Sequence, residues 1–215
     1  MNAQGDITPA GGARTLVLPG EPLPVRLMNT VWADRSGVYD TLTTTGDLRA
    51  WLAATHPGLD QPDPGPGDLD RFRALRDALR RLAALVTGDT RIAAASATAG
   101  VVQAVAEVNR AAAQAPTWPE LVYHGGDLHA AAGGGATPAR RALSSIASQA
   151  VGLLTGLDGI TLRACYAPGC VLYFVRDHPR REWCSAACGN RVRAARHYQR
   201  HRHGEGADHG DSDSS

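Results

Sequence analysis

The stretch RACYAPGCVLYFVRDHPRREWCSAACGNRVRAARHYQRHRH, residues 163–203, holds all four cysteines of this 215-residue chain. They form two close pairs, a C-x4-C pair at Cys165 and Cys170 and a C-x3-C pair at Cys184 and Cys188. Thirteen residues separate the pairs, and a segment rich in arginine and histidine follows the last cysteine directly. Two thiol pairs on separate segments predict a single site that ties both segments together.

The chemistry of four clustered thiols favours a metal site. Zinc prefers four tetrahedral ligands, and four cysteine thiolates form a closed structural site. Two disulfides, or a thiol redox switch that releases zinc on oxidation, remain alternatives. A catalytic zinc is not expected, because four thiolates leave no position for water. The predicted Zn2+ ligands are Cys165, Cys170, Cys184 and Cys188. The nearby histidines are weaker candidates for ligands: His178, His197, His201 and His203.

Local signals place the two pairs on different kinds of structure. Pro168-Gly169 predicts a tight turn inside the first pair, and Val171–Val175 indicates a strand that leaves this turn. Cys184 and Cys188 are four residues apart, about one helical turn, so the second pair opens a helix predicted from Ser185 to His201. A pair on a turn and a pair at a helix N-terminus are typical of a treble-clef-like zinc finger.

The net charge of +1 hides a strong asymmetry along the chain. Residues 1–162 carry a balance of −2, residues 163–203 a balance of +7, and residues 204–215 a balance of −4. A basic block of this kind indicates a nucleic acid or another acidic surface as the partner.

The predicted helix after the last cysteine carries a basic face. Four of its side chains have the i, i+3, i+4, i+7 spacing of one helix face. Guanidinium groups can contact phosphates or read guanine in the major groove, and the sequence does not divide them between these roles. A solvated basic helix without a target is the alternative. The face consists of Arg193, Arg196, His197 and Arg200, and the predicted nucleic-acid contacts also include Arg191 and Arg202.

The rest of the chain predicts a helical domain. Hydrophobic residues make up 43% of the chain but aromatic residues only 5%, which suits packed helices with an aliphatic core. The arginines after Asp68 are expected on a solvated helix face, opposite the stripe that contains Phe72 and Leu79, and phosphate binding is the alternative. The expected fold is mainly α (α+β), with helices near residues 27–32, 47–56, 69–87, 90–114 and 139–155 and a hairpin at 120–129. The proline-rich segment 15–25 is expected to form at most short extended pieces. The expected organisation is disorder at 1–14, a helical domain at 15–158, a finger at 159–203 and a disordered acidic tail at 204–215.

Membrane and enzyme classes are not favoured. No apolar run approaches the roughly 18–20 residues of a membrane helix, and the N-terminus lacks a signal-peptide pattern. We therefore expect a cytoplasmic protein, in which clustered thiols more often bind metal than form disulfides. No nucleophile–base pair, P-loop or dinucleotide fingerprint is present, so an enzyme is not expected. The suggestive cluster of His124, Asp127 and His129 is better explained by a surface hairpin.

The cysteine segment also resembles a known family. Cys188-Gly189-Asn190-Arg191 is the CGNR signature, and the stretch from Leu162 to Arg202 resembles the CGNR zinc finger. Within it, Gly189 is expected to permit close packing, Asn190 to hydrogen-bond across the knuckle, and Trp183 to pack over the metal. Arg191 is expected to contact phosphate or brace the finger. Many members have four residues between the last two cysteines, where this chain has three.

A second resemblance lies near the N-terminus. Leu27-Met28-Asn29-Thr30-Val31, followed by Leu48 and Trp51-Leu52, resembles the opening of the ABATE domain, which precedes this finger in bacterial proteins. Together the resemblances imply a stress-induced transcriptional regulator that binds DNA through its C-terminal finger.

Three functional hypotheses follow. The first is a zinc-dependent transcriptional regulator that contacts double-stranded DNA through the basic helix, with a helical domain that senses a small-molecule effector or mediates a homodimer. The second is a zinc-stabilised interaction module that docks on the transcription machinery. The third is a thiol/zinc redox sensor. None of them involves a membrane.

Overall fold

The structure is a computed structural model that describes residues 18, 20–56, 63–116, 118–157 and 159–205. Within these ranges the chain forms six α-helices, one 3-10 turn and three two-stranded antiparallel sheets, so the predicted mainly α fold with small hairpins is confirmed. The helices are α1 (Leu23–Met28), α2 (Thr45–Thr55), α3 (Asp68–Thr87), α4 (Val101–Ala112), α5 (Pro138–Thr155) and α6 (Ala186–Glu205). The strands are β1 (Val31–Ala33), β2 (Val38–Asp40), β3 (Trp118–His124), β4 (Asp127–Gly133), β5 (Leu162–Ala164) and β6 (Tyr173–Val175).

Local signals explain where several helices begin and end. Thr44 and Asp47 form a capping box at the start of α2, in which each side chain accepts a hydrogen bond from the backbone amide of the other residue. Thr137 caps α5 and Pro138 follows in the first turn, where no intrahelical amide bond is needed. Gly156 ends α5 in the left-handed region, with a φ of 70°.

The core is built around α3, which packs against α1, α4, α5 and β5. Phe72, Leu75 and Leu79 on α3 are buried, as are Ile146 on α5 and Tyr173 on β6. The same hydrophobic cluster therefore contains the N-terminal helices and the first sheet of the cysteine segment. The two parts of the chain share one core.

Two predictions near the N-terminus were wrong. Val31 and Trp32 were expected to continue a helix from Leu27, but α1 ends at Met28 and the next residues form β1. The amides of Asn29 and Thr30 close a turn onto α1 carbonyls, which redirects the chain. The proline-rich segment up to Val25 was expected to be at most extended, yet α1 starts at Leu23, because proline is tolerated in a first helical turn.

Other boundaries differ from the predictions. The helix expected over residues 90–114 is a 3-10 turn at Ile92–Ala94 followed by α4, which begins directly after Gly100. Helix α6 continues to Glu205, so the first two residues of the predicted acidic tail are helical. The other predicted disordered residues, 1–14 and 206–215, lie outside the described part of the chain.

The β3–β4 hairpin turns at Gly125-Gly126, as predicted. All side chains of β3 are exposed, including His124, and so are Asp127 and His129 on β4. These polar groups therefore do not form a buried site. No helix among the described residues has the length and apolar character that a membrane span requires.

Candidate metal centre and basic helix

Four sulfur atoms from two separate segments meet at one point. The Sγ atoms of Cys165, Cys170, Cys184 and Cys188 all lie within 4.8 Å of one another, and all four residues are buried and free of disulfides. The Cys170–Cys184 sulfur separation is 3.8 Å and the Cys184–Cys188 separation is 3.4 Å. Tetrahedral Zn–S bonds of about 2.3 Å place neighbouring sulfurs about 3.8 Å apart. The donor set and its spacing fit one zinc ion in a closed site.

The first cysteine pair lies on the turn between β5 and β6. The Cys170 amide donates to the Ala167 carbonyl (2.9 Å), and the Cys165 amide donates to the Leu172 carbonyl (3.0 Å). Gly169 has a φ of 69°, a left-handed conformation that suits glycine. The turn predicted from Pro168-Gly169 is therefore what brings both sulfurs to one side.

The second pair opens helix α6. Ser185 precedes the helix, and its hydroxyl accepts a hydrogen bond from the Cys188 amide (3.3 Å), the geometry of a helix N-cap. Three intervening residues are therefore enough to place Cys184 just before the helix and Cys188 on its first turn. A metal held by these sulfurs is also bonded to the base of α6.

The clustered thiols change each other's acidity. Hydrogen bonds, first from Cys165 and then from Cys170 and Cys184, hold the pKa of Cys188 well below its usual range. The hydrogen bond with Cys170 lowers the pKa of Cys165 to about 7. Arg191 donates to the Cys188 sulfur at 2.9 Å. The hydrogen bonds with Cys165 raise the pKa of Cys170 and of Cys184. Cys165 and Cys188 therefore favour the thiolate form, whereas a metal ion must displace the protons of the other two thiols.

The residues of the CGNR signature pack around the site. Trp183 is half-buried against the cysteine cluster, and a Cβ atom on Gly189 would lie only 3.3 Å from its ring. Glycine at this position therefore lets the tryptophan approach the helix. Asn190, expected to bond across the knuckle, instead accepts a hydrogen bond from Arg193 on the same helix. Arg191 braces the metal site through Cys188.

Beyond this base, α6 projects from the molecule. Among the α6 residues whose side chains are described, 186–200, Val192 is the last that is buried, Ala195 is half-buried, and every side chain from Arg196 to Arg200 is exposed. In the described part of the chain, neither Arg196 nor Arg200 has an ion-pair or hydrogen-bond partner. The ring of His197 lies edge-on to Tyr198, with centroids 6.2 Å apart. Arg202 also lies in α6, but its side chain is outside the described residues.

Sequence reasoning missed the residues of the helical domain that hold the cysteine turn. Arg91, which follows α3, donates from one guanidinium nitrogen to the carbonyl of Cys165 (2.5 Å) and to that of Cys170 (2.7 Å). Asp89 accepts two hydrogen bonds from the Arg91 guanidinium and one from the Tyr173 hydroxyl (2.8 Å). The end of α3 is thereby fastened to the backbone of both metal-ligating positions.

Arg80 on α3 forms a second set of hydrogen bonds between the helical domain and the cysteine segment, so the prediction of a fully solvated arginine face on α3 was wrong. Arg80 is only 2% exposed, and its guanidinium donates to the carbonyls of Met28 (3.1 Å) and Ala94 (3.1 Å). It also contacts the Val171 carbonyl from both terminal nitrogens and lies over the Tyr173 ring. These carbonyls come from three distant segments, so no local pattern could reveal them.

Arg76 is the other arginine of α3 that is buried against expectation. Its guanidinium pairs with Asp40 on β2 (2.6 Å) and with Asp77 (2.9 Å). A usable signal does exist in the sequence: Arg76 lies four residues after Phe72, and Arg80 one residue after Leu79, so both positions border the apolar stripe.

The open edge of β6 is covered by two polar side chains. Asn29 donates from Nδ2 to the Tyr173 carbonyl (2.8 Å) and accepts from the Tyr173 amide at Oδ1 (3.0 Å), as a neighbouring strand would. Glu21 accepts from the Val175 amide (2.9 Å) and from Arg181 (2.5 Å). The asparagine of the N-terminal resemblance therefore binds the finger directly.

The fold and site define a helical domain joined to a treble-clef-like, four-cysteine metal-binding finger. Two family models match the chain in this arrangement. The ABATE family, described as "Putative stress-induced transcription regulator", matches residues 21–157, and the CGNR zinc finger matches residues 161–201. The chain therefore belongs to the ABATE family and carries a CGNR zinc finger. A search of the curated proteins found no match.

Proposed function

We propose that this protein is a zinc-dependent, DNA-binding transcriptional regulator whose helix α6 enters the major groove of double-stranded DNA. The observation that carries the proposal is the projecting helix, which begins at the four-cysteine site and leaves Arg196 and Arg200 unpaired within the described residues. An α-helix fits the major groove, and guanidinium groups suit both phosphate oxygens and guanine. The family description supports a regulatory role and stress as the signal.

The contrast between two sets of arginines supports this assignment. On α3, Arg71, Arg76 and Arg80 all have carboxylate or carbonyl partners. Those arginines stabilise the fold, whereas Arg196 and Arg200 have exposed side chains and no such partner among the described residues. Two unpaired guanidinium groups one turn apart at the free end of a helix leave a strong positive charge to attract phosphate.

Zinc would supply a structural cross-link between the β5–β6 turn and α6, and no catalytic step is assigned to the chain. Ser185 would cap the helix at the metal, and Arg191 would donate to the Cys188 thiolate. With the helix base fixed in this way, α6 presents its side chains in a defined direction.

The test removes the basic face without touching the metal site. Changing Arg193, Arg196 and Arg200 together to alanine should weaken binding to a mixed-sequence duplex by about 100-fold, at roughly 1 kcal/mol for each lost phosphate contact. The matched control changes Arg49, Arg110 and Arg141, three exposed arginines of the helical domain, and loses the same charge. Fluorescence anisotropy measures affinity, and metal analysis verifies equal zinc content. If both triple variants bind DNA equally well, the proposal is wrong.

A further inference from the structure

A cleft separates helix α6 from the turn of the β1–β2 hairpin. It encloses about 750 Å³. One wall is the hairpin turn, with Asp34, Arg35 and Ser36, and the other wall belongs to α6. The floor includes Pro168 and Gly169 from the cysteine turn. The cleft is thus lined by the helical domain, by the turn that carries Cys165 and Cys170, and by helix α6.

The cleft is lined by a second face of α6, distinct from the arginine face. Its residues have the same i, i+3, i+4, i+7 spacing but lie about 200° around the helix from the first face. This second face consists of Arg191, Ala194, Ala195 and Tyr198. A helix that lies in the major groove, which is about 12 Å wide, has a phosphate backbone on each side. If the arginine face contacts one of these two phosphate backbones, the cleft lies on the side of the other phosphate backbone.

The hairpin turn offers a free cation to this cleft. Arg35 is exposed, and within the described residues it has no ion-pair or hydrogen-bond partner. The neighbouring Asp34 forms no ion pair with Arg35 in the described structure; its Oδ1 accepts the Ser36 amide (2.7 Å) and caps the turn. Arg191 also lines the cleft, but its guanidinium donates to the Cys188 sulfur (2.9 Å), so Arg35 is the cation that the cleft offers to a ligand.

The remaining lining suits a sugar–phosphate strand. Pro168, Ala194 and Ala195 present small apolar surfaces that can contact deoxyribose, and the exposed Arg35 is available to a phosphate. Tyr198 is 71% exposed and can donate its hydroxyl to a phosphate oxygen. Apolar lining beside an exposed cation suits the alternation of sugar and phosphate along one strand.

We propose that this cleft receives one phosphodiester backbone of the bound duplex, and that Arg35 is a phosphate-contacting residue outside the finger. The inference rests on the proposed function and extends it. The helical domain then takes part in DNA binding itself, and its hairpin turn helps to fix the position of α6 on the duplex.

The experiment compares single substitutions of Arg35 in the full-length, zinc-loaded chain. Because Arg35 is exposed and has no partner in the described part of the chain, its loss should leave the thermal midpoint unchanged. Arg35→Ala should weaken duplex binding about three- to tenfold and make the slope of log K against log salt less negative by about 0.9, the contribution of one phosphate. Arg35→Lys should retain most of the affinity, and Arg35→Glu should lose more than Arg35→Ala. Arg110→Ala, which removes one exposed charge from α4, is the matched control.

The possible outcomes separate this inference from the proposed function. If the α6 triple variant loses DNA binding while Arg35→Ala behaves as Arg110→Ala in affinity and slope, the cleft does not contact DNA and the inference is overturned. If the wild-type chain binds no duplex, both proposals fail together.

Discussion

At the residue scale, Asp89 and Arg91 link the helical domain to the metal site. The Asp89 side chain is 1% exposed and that of Arg91 is 15% exposed, so the ion pair is largely shielded from solvent. Burial opposes the charged carboxylate, but hydrogen bonds from Arg91 and Tyr173 outweigh it and hold the pKa of Asp89 below its usual range. Arg91 in turn is held against two cysteine carbonyls. A short sequence, Asp-x-Arg, thus supports the turn that carries Cys165 and Cys170.

Replacing Asp89 with asparagine tests this link. Loss of one partner leaves the Arg91 charge poorly compensated, and we expect the free energy of unfolding to fall by about 3 kcal/mol. Asp63→Asn is the matched control, because it breaks an exposed pair with Arg49 that should contribute less than about 1 kcal/mol. Urea unfolding of the zinc-loaded proteins measures both. Equal losses in the two variants would contradict the account.

The same pair predicts a pH dependence. The folded-state pKa of Asp89 lies below the unfolded value of about 3.9, so its contribution to stability is complete above about pH 5. It is lost as the pH falls through the folded pKa. The stability difference between wild type and Asp89→Asn should therefore shrink on acidification below pH 5, which urea titrations at several pH values would measure. A constant difference would show that the carboxylate charge is not what holds Arg91.

Some residues could be predicted from the sequence and others could not. The four cysteines are identifiable, because metal ligands in close pairs leave a local spacing. Asn29 and Glu21 are not, because their partners on β6 lie more than 140 residues away in the chain. Arg80 was predicted to lie on a solvated helix face, because charged side chains are usually exposed. Its carbonyl partners belong to segments that only the tertiary fold brings close to it.

At the scale of elements, helix α6 depends on its first turn. The Ser185 hydroxyl satisfies the Cys188 amide at the point where the metal site joins the helix. Removal of an N-cap side chain costs about 1 kcal/mol, so Ser185→Ala should weaken zinc binding about fivefold. Titration against a zinc chelator measures this change. Ser145→Ala, an exposed serine of α5, is the control and should leave zinc affinity unaltered. Equal zinc affinities in both variants would show that the cap does not support the site.

Elements with local signals were predicted well. The capping box of α2, the Thr137-Pro138 start of α5 and the glycine turn of the β3–β4 hairpin are all encoded within a few residues. Strand β1 was mistaken for helix, because its apolar spacing also fits a helix and only its pairing with β2 settles the matter. Short elements of three residues carry too little pattern to be recognised alone.

At the scale of the whole molecule, the finger is not an independent unit attached by a linker. Leu162, Ala164, Tyr173 and Val175 belong to the same buried cluster as the helices of the N-terminal region. Arg80 and Arg91 add polar bonds from the helical domain to the cysteine turn. Loss of the metal should therefore lower the stability of the helical domain as well as that of the finger.

Zinc removal should lower the unfolding temperature of the entire described fold. Helical circular dichroism and the fluorescence of a variant that keeps Trp51, buried on α2, as its single tryptophan should show one shared transition that moves downward after chelation. A Trp51 transition in that variant that is unchanged by chelation would mean that the helical domain is stable without the metal-bound finger.

The central claim is that a zinc ion on four cysteines fixes the helix that binds DNA. It is tested most directly by measuring the anisotropy of a labelled duplex while zinc is withdrawn from the protein with a chelator and then restored. The account predicts that bound DNA falls in proportion to the zinc removed and returns when zinc is added back. Duplex binding that persists after all zinc has been removed would contradict it.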